Sequence, residues 1–322
     1  MSSPQKIQQL IITSPDGSPY AQKTKLLLTA AGIPFQKCNQ PRILPRPDLE
    51  ALGITYRRIP LLAVGKDVYA DSQTIIDVIM HRLAASGSNS VPTSPADKAW
   101  DNLGTSIFRE VVLLMDPDVL PREFIQDRKT IFPVIARPDF KSLHPSALAG
   151  VQSRFAWVEN TLFTSADGGP YPIGGSKLTL ADIHILWSIR WGLTTLGAGQ
   201  EKGCRKEDLP KIWKAIEALP EPKPEVLGSE TTIERIQRAE YFAQEPTRVR
   251  ENDPLGFKAG TMLSVESNDS APGVHTQLGK LIGTNLDEVV LEVGTDGVRL
   301  HLPRLGYIYR EPSSSSLSES SK

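Results

Sequence analysis

The chain has 322 residues, of which 39% are apolar and 23% are charged, a composition ordinary for a soluble globular protein. This length favours two or three domains over a single one. The formal net charge is −1 and no basic block occurs, so the usual signature of a protein that binds nucleic acid or an anionic membrane is missing. A soluble enzyme or a binding protein remains.

The cysteines, histidines and N-terminus exclude further classes. Cys38 and Cys204 stand far apart and outside any paired motif, so neither a disulfide framework nor a cysteine-based zinc site is expected. The five histidines lack metal-ligand spacing, and we predict no metal. No signal-peptide stretch opens the chain, and no apolar run approaches the ~20 residues of a membrane span. These patterns predict a cytoplasmic location without a membrane partner.

The first part of the chain alternates short apolar runs with turn residues. The order βαβ and then ββα predicts a parallel strand pair extended by a hairpin, and a linker rich in Ser, Gly and Pro follows at 86–95. The predicted elements are a strand at 7–12, a helix at 20–31, a strand at 34–38, strands at 61–64 and 67–70, and a helix at 72–85.

In the rest of the chain, the spacing of the apolar residues changes twice. Helical spacing predicts an α-bundle with helices at 96–115, 121–132, 145–163, 180–196 and 209–219. Alternating patterns then predict a small all-β module with strands at 261–266, 275–282, 288–293, 298–302 and 307–310. This module is expected to close as a small barrel or to pack on the helical domain. We therefore predict domains at 5–85, 94–245 and 255–311, and a disordered tail at 312–322.

Three positions in the first domain suit the binding of a peptide. Ser18 lies just before a helix that opens with Pro19, where free N–H groups and the helix dipole stabilise an anion such as a thiolate. The simpler interpretation of Ser18 is a helix cap. Pro60 opens a strand, and a cis Ile59–Pro60 bond would direct the polar groups of the preceding peptide outward.

The third position is the pair Asp71 and Ser72, which opens an amphipathic helix. A carboxylate, a hydroxyl and a backbone N–H there suit the ammonium and carboxylate groups of an amino acid. Each of the three features alone also fits an edge-strand proline or a helix cap. Their occurrence together favours one shared site.

Three stretches of the chain resemble the glutathione S-transferase superfamily in order and spacing: SPYAQKTKLLLTAAGIPF, RRIPLLAVGKDVYADSQTIIDVI and GGSKLTLADIHILWSIRW. The resemblance covers residues 7–245 and implies a thioredoxin-like N-terminal domain, an all-α domain, glutathione as co-substrate, and a homodimer. It also implies that Ile59 and Pro60 pair with the backbone of the glutathione cysteine. Asp71 and Ser72 would bind its γ-glutamyl group, although the family more often has Glu than Asp there. Fungal transferase-like proteins with a C-terminal extension look similar.

The resemblance places the catalytic group in the loop that contains Ser18, where some classes of the family carry a cysteine. A hydroxyl cannot form a disulfide, so thiolate activation is favoured over thiol exchange. Ser14 is the competing donor because some classes use a hydroxyl nearer the strand end. Tyr20 is expected to pack or to line the second-substrate pocket. The family also places much of that pocket on the helix that carries Phe108, Arg109 and Val112.

In the helical domain, Thr179 and Asp182 form an S/T-x-x-D box at the start of a buried helix. We interpret Asp182 as a structural cap rather than as a catalytic partner of His184. Trp187 and Trp191 lie four residues apart and are expected to pack in the core.

These features predict an enzyme in which a glutathione thiolate attacks an electrophilic small molecule, by conjugation or by glutathione-assisted isomerisation. The alternative is a transferase-like binding or scaffold protein without turnover. A thiol-disulfide reductase is the weakest hypothesis because Cys38 lies off the loop. The sequence identifies neither the electrophile nor the role of the β module.

Overall fold

The computed structural model describes residues 10–84 and 87–312. The described chain consists of two compact units. The first unit contains residues 10–21, 34–84 and 224–312, and the second contains residues 22–33 and 87–223. The predicted tail at 312–322, apart from residue 312, lies outside the described residues. So do the predicted domain start at residue 5 and the first part of the strand at 7–12.

The first unit contains one ten-stranded mixed sheet with the strand order β10-β6-β7-β8-β9-β4-β3-β1-β2-β5. Parallel pairing joins β1 to β2, β2 to β5 and β4 to β9, and the other neighbours are antiparallel. The strands are β1 Leu10–Ser14, β2 Gln36–Asn39, β3 Leu61–Val64, β4 Asp67–Ala70, β5 Glu225–Leu227, β6 Met262–Ser267, β7 Gln277–Thr284, β8 Glu288–Val293, β9 Val298–Pro303 and β10 Tyr307–Arg310.

The N-terminal part of this sheet confirms the predicted thioredoxin-like arrangement of βαβ followed by ββα. Helix α1, Pro19–Ala30, connects β1 to its parallel partner β2, and α3, Ser72–Val78, follows the hairpin of β3 and β4. A π-helical turn, Ile79–Leu83, continues α3. The short helix α2, Pro47–Glu50, and the helix α9, Ser229–Arg238, complete the helices of the unit.

The C-terminal strands extend the N-terminal sheet, an arrangement that the sequence analysis did not predict. β9 pairs in parallel with β4, so that Val68 lies opposite Leu300 and Tyr69 opposite His301. The physical reason is that β4 would otherwise end the sheet with an unpaired row of backbone N–H and C=O groups. Val68, Leu300 and other apolar residues of both parts share one buried core. The strands predicted for the module at 255–311 therefore belong to the same sheet as the N-terminal strands.

The C-terminal part of the sheet is strongly curled. Residues 304–306 alone connect β9 to β10, and the four residue steps from Pro303 to Tyr307 span at most about 14 Å. In a flat sheet, the four strand spacings between β9 and β10 would amount to about 19 Å. The hydroxyl of Tyr309 on β10 also donates to the carbonyl oxygen of Pro303 at 2.6 Å. The curl brings β10 back toward the end of β9.

The second unit is the predicted helical bundle. Its core joins Ile107 and Val111, Phe155, and Ile185 and Ile189, which come from three different helices. The helices are α4 Asp97–Val111, α5 Arg122–Arg128, α6 His144–Thr161, α7 Leu180–Arg190 and α8 Pro210–Ala218. Residues 224–245, assigned to the helical domain from the sequence, belong to the first unit, in which β5 pairs with β2. Among the described residues, no helix is long and apolar enough to cross a membrane.

Candidate functional site

Three of the predicted site residues stand in one row at an edge of the sheet. Leu61 of β3 lies opposite Thr13 of β1 on one side and opposite Ala70 of β4 on the other. Ser14 follows Thr13, Pro60 precedes Leu61, and Asp71 follows Ala70. The register therefore places Ser14, Pro60 and Asp71 side by side, although 57 positions separate the first from the last.

The peptide bond between Ile59 and Pro60 is cis, as the sequence analysis expected. Ile59 is half-buried, whereas Pro60 is buried. Within residues 10–84 and 87–312, the backbone of Ile59 forms no hydrogen bond to the protein. Both backbone groups of this residue are therefore available to an extended peptide beside the row.

Asp71 has an unusual backbone conformation, with φ of 76° and ψ of 143°. A positive φ is unfavourable for a non-glycine residue and is concentrated at functional positions. The carboxylate caps α3, since its Oδ1 accepts from the backbone N of Gln73 at 2.9 Å. Ser72 is the first residue of α3 and is half-buried, and no hydrogen bond of its hydroxyl occurs within the described chain.

The second oxygen of the Asp71 carboxylate contacts the C-terminal part of the sheet. The hydroxyl of Tyr307 on β10 donates to Oδ2 of Asp71 at 2.8 Å, and the hydroxyl oxygens of Tyr307 and Tyr56 are 2.5 Å apart. An ionised carboxylate only accepts, so Tyr307 donates its single hydroxyl hydrogen to Asp71. Tyr56 must then be the donor in its bond to Tyr307. Burial is the main factor that raises the pKa of both tyrosines above the ordinary value, so both stay protonated.

The segment that leads to Pro60 is also held by the C-terminal strands. Oε1 of Gln277 accepts from the backbone N of Thr55 at 2.8 Å and from that of Tyr56 at 2.9 Å. Nε2 of Gln277 donates to the carbonyl oxygen of Gly53 at 3.0 Å, and Arg58 forms an ion pair with Asp269. These contacts could not be predicted from local patterns because the partners are more than 200 residues apart along the chain.

The two candidate catalytic serines differ in burial. Ser14 is fully buried, and its hydroxyl has no hydrogen-bond partner within the described part of the protein. Ser18 is half-buried, and its Oγ accepts from the backbone N of Ala21 at 3.4 Å, a long helix-capping bond. Tyr20, the neighbouring candidate, is also half-buried. Ser18 is therefore the more accessible hydroxyl in this region.

The candidate pocket residues on α4 lie in different environments. Phe108 is buried in an aromatic cluster, with its ring centroid 5.4 Å from those of Trp187 and Trp191. Val112 is also buried, whereas Arg109 is exposed. The ring contacts of Phe108 are those of a packed core.

The structure brings Asp182 and Thr179 together as a capping box, as predicted. The Asp182 carboxylate accepts from the backbone N of Ile173 at 2.7 Å, of Gly174 at 3.1 Å and of Thr179 at 2.9 Å. His184 lies near another carboxylate, since its Nδ1 is 3.2 Å from Oδ1 of Asp101, too poorly aligned for a good hydrogen bond. The contacts of Asp182 are those of a folding element.

Asp101 forms an ion pair with a buried lysine of the same unit, Lys23 on α1. Burial disfavours the charged form of Asp101, but Lys23 and His184 outweigh that effect and lower its pKa below the ordinary value. Burial lowers the pKa of His184, which favours the neutral imidazole. This cluster could not be predicted from the sequence, since Lys23 is a polar residue on an otherwise apolar helix face. No group of three or more potential metal ligands occurs in the described residues.

Comparisons with protein families cover two parts of the chain. Residues 13–87 match the model of the glutathione S-transferase N-terminal domain. Residues 107–221 match a domain of unknown function, DUF7962. Among curated proteins, none matches the chain.

Comparisons with solved structures extend the similarity over both units. A GST-like protein from Pseudomonas syringae has 23% sequence identity and a TM-score of 0.62, over 95% of this chain and all of that one. A Tau class glutathione S-transferase from the mango, Mangifera indica, has 17% identity and a TM-score of 0.44 over 70% of this chain and 96% of its own. A glutathione transferase family member from Pseudomonas fluorescens, solved with two glutathione bound, has 15% identity and a TM-score of 0.44 over 66% of this chain and 89% of its own.

The similarity to the Pseudomonas syringae protein is one of fold, and it covers 95% of this chain. The N-terminal family match contains the whole row of Ser14, Pro60 and Asp71. The thioredoxin-like topology of the N-terminal strands and helices agrees with that match. Residues 13–87 thus match the glutathione S-transferase N-terminal domain, and the chain shares the fold of a GST-like protein, with C-terminal strands that extend its sheet.

Proposed function

We propose that this protein binds glutathione at a site formed by Ile59, Pro60, Asp71 and Ser72. The observation that carries the proposal is the pairing of Leu61 with Ala70, which sets Pro60 beside Asp71. A peptide that lies along this edge meets a free backbone at Ile59 and a carboxylate at Asp71. Glutathione needs these two kinds of partner.

Each part of glutathione has a matching group at the proposed site. Its cysteine residue carries an N–H and a C=O that pair with the backbone of Ile59 as one strand pairs with another. Its γ-glutamyl end carries an ammonium group and a carboxylate. Each oxygen of Asp71 accepts one hydrogen bond from the protein and retains a lone pair for the ammonium. The hydroxyl of Ser72 is available to donate to the carboxylate.

The proposed reaction is attack by the glutathione thiolate on an electrophilic small molecule. The thiol loses its proton to solvent, the sulfur forms a bond to the electrophilic carbon, and a leaving group departs with its electron pair. Ser18 donates a hydrogen bond to the sulfur and so favours the thiolate. The burial of Ser14 supports Ser18 as this donor. Tyr20, which is half-buried, remains a proposed neighbour of the electrophile.

The second candidate function is glutathione binding without turnover. It is favoured by the hydroxyl in the loop where other classes of the superfamily carry a cysteine, since the Oγ of Ser18 already serves as a helix cap. The superfamily also supports a homodimer, which light scattering on the full chain tests. A cytoplasmic location remains a prediction from the sequence.

Calorimetric titration of the full chain with glutathione tests the proposed site. We expect saturable binding that Ser72→Ala weakens, with Ser229→Ala as the matched control, because Ser229 is likewise the first residue of a helix in the same unit. Conjugation to a generic aromatic halide then separates the two functions. Turnover that Ser18→Ala reduces supports the enzyme, and binding without turnover supports the alternative. Absence of binding contradicts both.

A further inference from the structure

We infer that Tyr307, from the C-terminal extension, is a positioning residue of the glutathione site that orients the Asp71 carboxylate toward the γ-glutamyl ammonium. This inference rests on the proposed function and assigns a role to strands that lie outside the family match at residues 13–87. Its basis is the hydrogen bond of 2.8 Å between the Tyr307 hydroxyl and Oδ2 of Asp71.

The carboxylate of Asp71 is fixed at both of its oxygens. The backbone N of Gln73 holds Oδ1 at 2.9 Å, and Tyr307 holds Oδ2. The backbone of Asp71 has a positive φ, so its local geometry is one that the surrounding structure must enforce. A carboxylate that is fixed before the ligand arrives loses less conformational entropy on binding.

Tyr307 is itself held in place. Tyr56 donates to its hydroxyl, and the two ring centroids are 6.2 Å apart. On β10, Tyr307 lies opposite Ser267 of β6. The chain of donors runs from Tyr56 through Tyr307 to Asp71, and it joins the loop before Pro60 to the residue after β4. Both sides of the proposed peptide site are thereby connected to β10.

The donors around Asp71 carry no charge, and this matters for the ligand. Within the described chain, Asp71 forms no salt bridge, since Arg58 is paired with Asp269. The half-buried carboxylate of Asp71 is held by one amide and one hydroxyl, and neither of these donors is a cation. The ammonium group of the γ-glutamyl residue supplies the missing cation. A lysine or arginine in the place of Tyr307 would compete with that group.

The test compares Tyr307→Phe with Tyr309→Phe in the full chain. Tyr309 lies two residues further on β10, and its hydroxyl also donates one hydrogen bond, at 2.6 Å to the carbonyl oxygen of Pro303. The control therefore removes an equivalent hydroxyl without touching Asp71. We expect Tyr307→Phe to weaken glutathione binding roughly five- to tenfold and Tyr309→Phe to leave the dissociation constant unchanged.

A second probe identifies the ligand group concerned. Glutaryl-cysteinylglycine is glutathione without the amine, and Tyr307→Phe is expected to change its dissociation constant less than twofold. In an Asp71→Asn background, Tyr307→Phe is expected to have no further effect on glutathione binding. If Tyr307→Phe fails to fold, Tyr56→Phe replaces it, since it removes the donor to Tyr307, and a two- to threefold loss is expected.

The outcomes separate this inference from the proposed function. If the unaltered chain binds glutathione and Asp71→Asn weakens binding, while Tyr307→Phe behaves like Tyr309→Phe, the role of Tyr307 is overturned and the glutathione site stands. Equal losses for both probes overturn it as well, because they indicate a general structural effect. If the unaltered chain binds neither probe, the proposed function itself falls, and this inference with it.

Discussion

Nε2 of His301 lies 2.9 Å from Oδ1 of Asp67, although 234 positions separate these residues in the sequence. On the other side of the ring, Nδ1 of His301 lies 3.1 Å from Oε2 of Glu288. The imidazole also stacks on Tyr69 with ring centroids 4.3 Å apart. Because ionised carboxylates only accept, both ring nitrogens must donate, and the contacts favour the imidazolium ion. This buried cluster joins β4 to the C-terminal strands.

The cluster makes stability depend on pH. Burial opposes the charge of His301, but Asp67 and Glu288 outweigh burial and raise its pKa above the ordinary value of 6.5. A raised pKa of a base gives stability that is fully present below pH 6.5 and is lost as the pH rises through the folded-state pKa. Burial also opposes the charge of Glu288, yet His301 and Arg82 lower its pKa below 4.5, so its contribution is lost as the pH falls through that lower value.

We predict that His301→Phe lowers the free energy of unfolding by about 3–5 kcal/mol near pH 6, because Asp67 then remains buried without a cation and Glu288 retains only Arg82. The phenyl ring keeps the stacking on Tyr69, so the loss isolates the charge. Urea unfolding between pH 5 and 9 measures the effect, with the exposed His81→Phe as the control. The stability of the unaltered chain should fall above pH 6.5, and that slope should shrink in His301→Phe. An equal slope in both proteins would contradict the account.

A chain shortened at residue 244 is predicted to aggregate. Removal of β9 exposes the backbone edge of β4 and leaves the buried carboxylate of Asp67 without His301. Light scattering after size exclusion measures the outcome, with a chain ending at residue 312 as the control. A monodisperse, folded shortened chain would show that the extension is dispensable for the sheet.

Asp182→Ala is predicted to destabilise the helical unit by about 2–4 kcal/mol, because a helix cap and several backbone donors lose their acceptor together. Asp208→Ala is the control, since Asp208 also accepts from two backbone N–H groups but is exposed. Its loss should be clearly smaller in the same thermal unfolding experiment. A marked loss of glutathione affinity in Asp182→Ala at a temperature where it stays folded would contradict its structural role.

Ser18→Ala is predicted to lower kcat/KM for conjugation roughly ten- to a hundredfold, as expected when one donor to a developing or stabilised anion is removed. The pH profile of kcat/KM should move to higher pH, since the thiol then ionises less readily. Ser14→Ala should leave that profile in place because Ser14 is fully buried. A shift in Ser14→Ala without one in Ser18→Ala would reverse the assignment.

Local sequence patterns were sufficient to predict the strands and helices in which apolar and polar residues alternate or repeat clearly. The strands Leu61–Val64, Asp67–Ala70, Glu288–Val293 and Tyr307–Arg310 have the bounds that their patterns predicted. α9 was missed because Ser229–Arg238 has only two large apolar residues, Ile233 and Ile236. β5 was missed because three residues with an exposed Val226 give no period to detect.

The parts of the candidate site that depend on residues close together in the sequence could be predicted. The cis Ile59–Pro60 bond and the helix start at Ser72 follow from residues next to each other in the chain. The bond from Tyr307 to Asp71 does not, because 236 positions separate the partners and no motif marks a tyrosine as a carboxylate donor. For the same reason, the alternation of β9 indicated a strand but not its partner, and the extension looked like a separate module.

The affinity of the full chain for glutathione, measured by calorimetry with and without Asp71→Asn, tests the central claim most directly. Asp77→Asn, on the same helix and also half-buried, is the matched control. The account predicts saturable binding of one glutathione per chain, a loss of at least about tenfold in Asp71→Asn, and no loss in Asp77→Asn. Absence of binding, or equal affinity of Asp71→Asn and the unaltered chain, would contradict it.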